Sequence, residues 1–152
     1  MTELRMDAPN EKQRRFLLDR HRHIAYGGAR GGGKSWAVRT KAKLLALRYA
    51  GIKLLIVRRT LRELQNNHIA PLRQELAGVA KYKAADKRFE FPNGAVLTFG
   101  YCACDGELGQ YQGAEYDVVF LDEAGQLQKA WIDAINACVR GTNGFPKRTY
   151  YT

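Results

Sequence analysis

Two groups of residues in this sequence have the types and the spacing to act on one ligand. The first lies in "IAYGGARGGGKSW", Ile24 to Trp36, where Gly28, four residues, Gly33, Lys34 and Ser35 fit the pattern GxxxxGK[ST]. Glycine in a regular element costs roughly 0.5–1 kcal/mol relative to alanine, so five glycines in seven positions imply that bare backbone is itself the requirement. In such a loop successive N–H groups converge on a nucleotide's phosphates, the lysine reaches the β and γ oxygens, and the hydroxyl binds Mg²⁺. Gly28, Ala29, Arg30, Gly31, Gly32, Gly33, Lys34, Ser35 and Trp36 are the expected binding stretch. The second group is the acidic pair in "VVFLDEA". Asp122 is expected to hold the Mg²⁺ shell with Ser35, and Glu123 to take the proton of an attacking water as general base.

Chemistry of this kind needs a strand, a glycine loop and a helix in that order. Ile24 to Tyr26 read as the strand, and "KSWAVRTKAKLLALRYA" as the helix, with Trp36, Leu44, Leu47 and Ala50 on one face and Arg39, Lys41 and Lys43 largely elsewhere. "PNEKQRRFLLDR" predicts an earlier helix, entered at Pro9 and Asn10, with Phe16 and Leu17 buried. "KLLIVRR" and "DVVFLDE" are near-continuous apolar runs, as parallel strands covered on both faces require. "TLRELQNNHIAPLRQELAG" reads as a helix with Thr60 as N-cap, kinked or divided by Pro71. "KRFEF" and "AVLTFGY" alternate and predict a hairpin closed at Asn93-Gly94, an antiparallel insertion on a mainly parallel sheet. "GELGQYQGAEY" is loop or broken helix, "KAWIDAINACVR" a helix and "RTYYT" a further strand.

A chain of 152 residues, 45% hydrophobic, suits one α/β domain over residues 1–152. Its apolar runs are too short to span a bilayer, and no signal-peptide pattern opens it, so the reading is an intracellular protein with no membrane partner. Three cysteines, Cys102, Cys104 and Cys138, do not make a disulfide framework, and neither their spacing nor the His21/His23 pair is a usual zinc signature. They read as small buried side chains. Lys+Arg 25 against Asp+Glu 15 gives +10, grouped at Lys12, Arg14, Arg15, Arg20 and Arg22 and again at Lys81, Lys83, Lys87 and Arg88. Such a surplus favours a nucleic-acid partner.

"GARGGGKS", "LLIVRRTLREL", "PNGAVLTFG", "YQGAEYDVVFLDEAGQL" and the terminal "TYYT" together resemble, in order and over essentially the whole chain, the ATPase domain of the large terminase subunit of tailed bacteriophages. The resemblance implies a P-loop NTPase fold of the RecA-like, additional-strand catalytic-glutamate type. It implies ATP and Mg²⁺ as cofactors, and a motor that drives double-stranded DNA into a procapsid. Its expected partners are that DNA, further copies in a ring, the portal protein and the small terminase subunit, in the cytoplasm of the bacterial host. By the same resemblance Gln13 reads the adenine edge, Arg30 acts on the γ-phosphate and Thr152 opens the coupling motif. Tyr111 and Gln112 belong to the link between the ATP site and DNA. An arginine acting across subunits is expected, with Arg58, Arg59 and Arg62 as candidates by position.

The rest of the family's coupling motif, its last sheet strand and its nuclease domain have no counterpart in this sequence, which therefore reads as an N-terminal fragment that does not cut DNA. "RTYYT" is expected between the "HIAY" and "VVFLD" strands, leaving the outer edge of "HIAY" uncovered. Two other readings are a helicase-like, nucleic-acid-stimulated ATPase with the same catalytic glutamate, and a nucleotide- or DNA-binding remnant without turnover.

Overall fold

The computed structural model describes residues 6–27 and 33–152. Seven strands form one sheet: β1 (His23–Ala25), β2 (Lys53–Arg58), β3 (Lys81–Lys83), β4 (Arg88–Glu90), β5 (Val96–Tyr101), β6 (Val118–Leu121) and β7 (Arg148–Tyr151), in the spatial order β1-β7-β6-β2-β5-β4-β3. The pairs β1–β7, β7–β6, β6–β2 and β2–β5 are parallel, while β5–β4 and β4–β3 are antiparallel. The last strand does insert between β1 and β6, and β1 lies at the sheet edge.

Alternation across the pleat explains the apolar runs. Leu54 and Ile56 of β2 and Val118 and Phe120 of β6 face one layer; Leu55, Val57, Val119 and Leu121 face the other. On the first face lie α1 (Glu11–Leu18), α2 (Lys34–Arg48), α3 (Leu61–Leu64) and α4 (Ala70–Glu75); on the second lie α5 (Lys129–Asn136) and the 3-10 segment Asp105–Tyr111. Each fully buried Leu or Ile in these layers contributes about 1.5–3 kcal/mol. No helix among the described residues is long and apolar enough to cross a membrane.

The first helix starts as its sequence requires: the Asn10 side chain accepts from the Gln13 N–H at 2.8 Å, and Gln13 Oε1 accepts from the Asn10 N–H at 2.9 Å, a reciprocal cap. Pro71 divides its helix as expected. It has no N–H to give, and a widened π-turn, Gln65–Ile69, lies between α3 and α4. The Asn67 carbonyl, four residues before the proline, instead accepts from Arg39 Nη1 at 2.5 Å.

Two expectations are corrected and a third is refined. On α2 the buried positions are Ala37, Val38, Thr40, Ala42, Lys43, Leu45 and Ala46, whereas Leu44 and Leu47 are exposed. The helix packs on the sheet through small residues and is flanked on both sides, so Lys43 lies buried against Glu75 at 2.7 Å. The antiparallel hairpin is present as expected, and what is new is how it joins the parallel sheet. Its second arm, β5, is a full parallel partner of β2, and the antiparallel part consists of β4 and the unforeseen β3. Its turn does sit at Pro92–Gly94, with Gly94 alone at positive φ. Finally, Cys102 and Cys138 are buried but Cys104 is exposed, because β5 ends at Tyr101 and the chain turns outward.

Candidate active site at the strand ends

Asp122 follows the last residue of β6, at the carboxyl edge of the sheet, where open α/β folds bind ligands. Its side chain is almost wholly buried and takes four donors from four elements. Oδ2 accepts from Ser35 Oγ of α2 at 3.0 Å, from Arg58 Nη1 at the end of β2 at 3.0 Å, and from His68 Nε2 of the π-turn at 2.7 Å. Oδ1 accepts from Thr152 Oγ1, just past β7, at 2.6 Å. A carboxylate offers about four lone-pair sites; three donors share Oδ2, and Oδ1 keeps one site open.

Burial alone would raise the Asp122 carboxyl. The hydrogen bonds and charge of its neighbours, His68 first, then Thr152 and Arg58, outweigh it and hold the group well below the usual carboxylate range. His68 moves down from the ordinary histidine value, chiefly through burial, with the bond to Asp122 opposing. A neutral imidazole facing an ionised carboxylate must carry its proton on Nε2, which leaves Nδ1 bare; Nδ1 has no hydrogen-bond partner among the described residues.

Glu123 sits differently although it is the next residue. Its backbone is left-handed, φ 55°, held by Gln126 N–H to its carbonyl at 2.9 Å and by the Ala124 N–H to the Thr152 carbonyl at 2.8 Å. A non-glycine residue there is strained, on the order of 1–3 kcal/mol, and such strain concentrates at functional positions. The result separates two adjacent carboxylates. Asp122 points into the protein, and the Glu123 side chain remains 37% exposed, 3.9 Å from Arg58.

The phosphate loop itself, Gly28, Ala29, Arg30, Gly31 and Gly32, lies outside the described residues. From Gly33 onward the structure is defined. Gly33 has φ 74° and precedes α2 without a side-chain cap, so the first turn of the helix presents its amides, including those of Lys34, Ser35 and Trp36, as an anion site would. The Trp36 side chain packs against the core. Gln13 is not a solvated helix residue. Its Nε2 donates to the Gly33 carbonyl at 3.3 Å, and a Cβ on Gly33 would stand 2.2 Å from that nitrogen, so α1 and the loop's end need glycine to meet. Gln13 therefore stands beside the loop, its amide engaged at both ends.

A hard divalent cation suits the donor set here, a serine hydroxyl and a carboxylate. Neighbouring ligands of an octahedron with bonds of about 2.0–2.1 Å stand about 2.9 Å apart, and Ser35 Oγ and Asp122 Oδ2 are 3.0 Å apart. Ser35 Oγ and Asp122 are thus placed where they would hold such an ion, directly or through water.

Arg58, one of three arginines considered for action on a neighbouring subunit, is buried and bonded to its own Asp122, so it serves its own site. Arg59 and Arg62 are exposed. Tyr111 is buried on the opposite face of the sheet, its hydroxyl donating to the Tyr101 carbonyl at 2.9 Å, while Gln112 is exposed. His68 was not anticipated at all. A lone histidine in an amphipathic helix gives no signal, and only the fold brings it across 54 positions to Asp122.

Residues 25–132 match the family described as terminase large subunit, T4likevirus-type, N-terminal. The fold also matches solved structures at low identity. The large terminase of a thermophilic bacteriophage in complex with ADP is 17% identical with a TM-score of 0.74, over 93% of this chain and 37% of that one. The large terminase ATPase domain of a Thermus phage is 16% identical with a TM-score of 0.72, over 95% of this chain and 65% of that one. The packaging motor assembly of bacteriophage Phi-29 is 18% identical with a TM-score of 0.59, over 93% and 46%. This chain thus spans less than half the length of the full-length large terminase it matches. No curated protein matches it.

Proposed function

We propose that this chain is the ATP-hydrolysing part of a DNA-packaging motor, because it belongs to the family of T4-like terminase large subunits and corresponds to their N-terminal domain. The observation that carries the chemical half of the reading is the division of labour between Asp122 and Glu123. One carboxylate is buried and bonded beside Ser35; the other is held out, partly exposed and, among the described residues, without a close donor.

In this reading ATP lies on the loop from Gly28 to Trp36, with Lys34 on the β and γ phosphates, Arg30 on the γ-phosphate and Gln13 exchanging its internal partners for the adenine edge. Ser35 and Asp122 would hold Mg²⁺, directly or through water, and the ion would supply neutralisation of the phosphate charge. Glu123 orients the attacking water and receives its proton; its exposure lets that water reach it. Arg58 lies between the two acids, fixing Asp122 and lowering the field at Glu123. Thr152, bonded to Asp122 at the end of β7, carries any change around the cation into the strand next to β1. Double-stranded DNA, a ring of like subunits, the portal and the small terminase subunit complete the proposed machine, at the procapsid in the host cytoplasm. Arg59 and Arg62 are the exposed cations near the site from which a residue acting on a neighbour would be drawn.

The test compares ATP affinity and phosphate release for the parent and Glu123→Gln. Affinity should persist while hydrolysis falls about 10²–10⁴-fold, the usual cost of losing a base. Unchanged turnover in Glu123→Gln would remove the base from this residue.

A further inference from the structure

At the other end of the sheet, cationic side chains outnumber the one acid near them, Asp19. A pocket of about 240 Å³ is lined by Leu17 and Leu18 of α1, Lys41 and Arg48 of α2, Arg20 and Arg148. Arg148 opens β7 and Arg48 closes α2, so the pocket lies about 20 Å from Gly33 by the length of that helix. Lys41 is half-buried and donates from Nζ to the Leu17 carbonyl at 2.6 Å, which leaves two of its protons for other acceptors. Among the described residues no ion pair joins Lys41, Arg20, Arg48 or Arg148 to a carboxylate. Arg48 rests on the Tyr49 ring and Arg148 donates to the Tyr150 hydroxyl. Asp19 feels Arg148, but its carboxylate accepts from both the backbone and the ring of His21.

A simpler purpose for these cations is to face the C-terminal ends of α1 and α2. Two helix ends carry about −0.5 charge each, roughly −1 in total, against four positive side chains. The Asp19 carboxylate takes off about one more, so about two charges are left over in a pocket with room for a small anion and water. From this convergence we propose that the pocket binds a phosphate group, either free phosphate or a phosphate of a nucleic-acid backbone. The bidentate forks of Arg20, Arg48 and Arg148 and the two remaining Lys41 protons supply the donors. The state of Lys41 agrees: burial first, and then repulsion from Arg148, Arg20 and Arg48, pushes its ammonium down to about 8. A dianion between these groups relieves that repulsion.

The proposal is independent of the nucleotide site and is tested apart from it. In the Lys34→Ala background, with ¹³C-labelled lysine, NMR follows the Lys41 Cε resonance with pH at fixed ionic strength; Lys41→Met assigns the signal. Inorganic phosphate should raise the Lys41 midpoint by about one to three pH units, the effect of an opposite charge within contact. Arg20→Gln combined with Arg48→Gln should raise the midpoint before any phosphate is added and shrink the response to it. A short DNA duplex added in parallel separates the sources. A larger response per phosphate from the duplex assigns the pocket to nucleic acid, and a larger one from inorganic phosphate assigns it to the free ion. A Lys41 midpoint that neither moves would overturn the site.

Discussion

The two ends of this sheet handle charge in opposite ways. At the carboxyl end, Asp122 is buried with Arg58, His68, Ser35 and Thr152 around it, and both of its oxygens have donors. At the amino end, Lys41 is half-buried among three arginines and has a single carbonyl partner. In the first arrangement the buried charges are paired without a ligand, so removing the carboxylate is costly. The second is under repulsion, so its members are individually dispensable to the fold and become useful when an anion arrives. Stability and binding thus separate along one helix, α2, which begins at one cluster and ends at the other.

Substitutions on the two sides should diverge most at the centre of the buried cluster. Asp122→Ala leaves the Arg58 charge and the His68 ring buried without their acceptor and should destabilise the chain by about 3–5 kcal/mol, read from chemical denaturation. A loss under 1 kcal/mol would mean that the cluster is wetter than its burial indicates. His68→Ala should cost less, about 1–3 kcal/mol, because it removes a neutral donor and a small volume while Asp122 keeps three partners. Equal losses for the two variants would place the histidine, not the carboxylate, at the centre.

The effect at the opposite end should show as a slope with pH rather than a fixed loss. Folding lowers the Lys41 value from 10.5 to about 8. Between those values the unfolded chain binds more protons than the folded one, so stability should rise with pH from about 8 to about 10.5, and the rise should vanish in Lys41→Met. Denaturation midpoints across that window check it; the same slope in Lys41→Met would assign the effect elsewhere.

What the sequence disclosed follows the same division. Features set by local chemistry were legible: the cap at Asn10, the apolar runs of β2 and β6, the division at Pro71, and the adjacent acids after β6. Features set by packing were not. The buried face of α2 is made of alanines with Lys43 among them, because the helix is covered from several sides, and apolar periodicity cannot anticipate a lysine neutralised by Glu75. Strand β3 is three residues, two of them lysines, and exists because β4 offers it an edge. Arg58 was visible as a cation at a strand end, but only the register of β2 beside β6 turns it toward Asp122 rather than outward. His68 needed the π-turn, the strand order and the sheet all at once.

The central claim is that α2 begins at a nucleotide's phosphates and that Lys34 meets them there. Calorimetric titration of ATP, with Mg²⁺, into the parent chain and into Lys34→Ala tests it most directly, with thermal unfolding confirming that both are folded. The account predicts saturable binding by the parent and none detectable in the variant at the same concentrations. Equal affinity in the two proteins would contradict it.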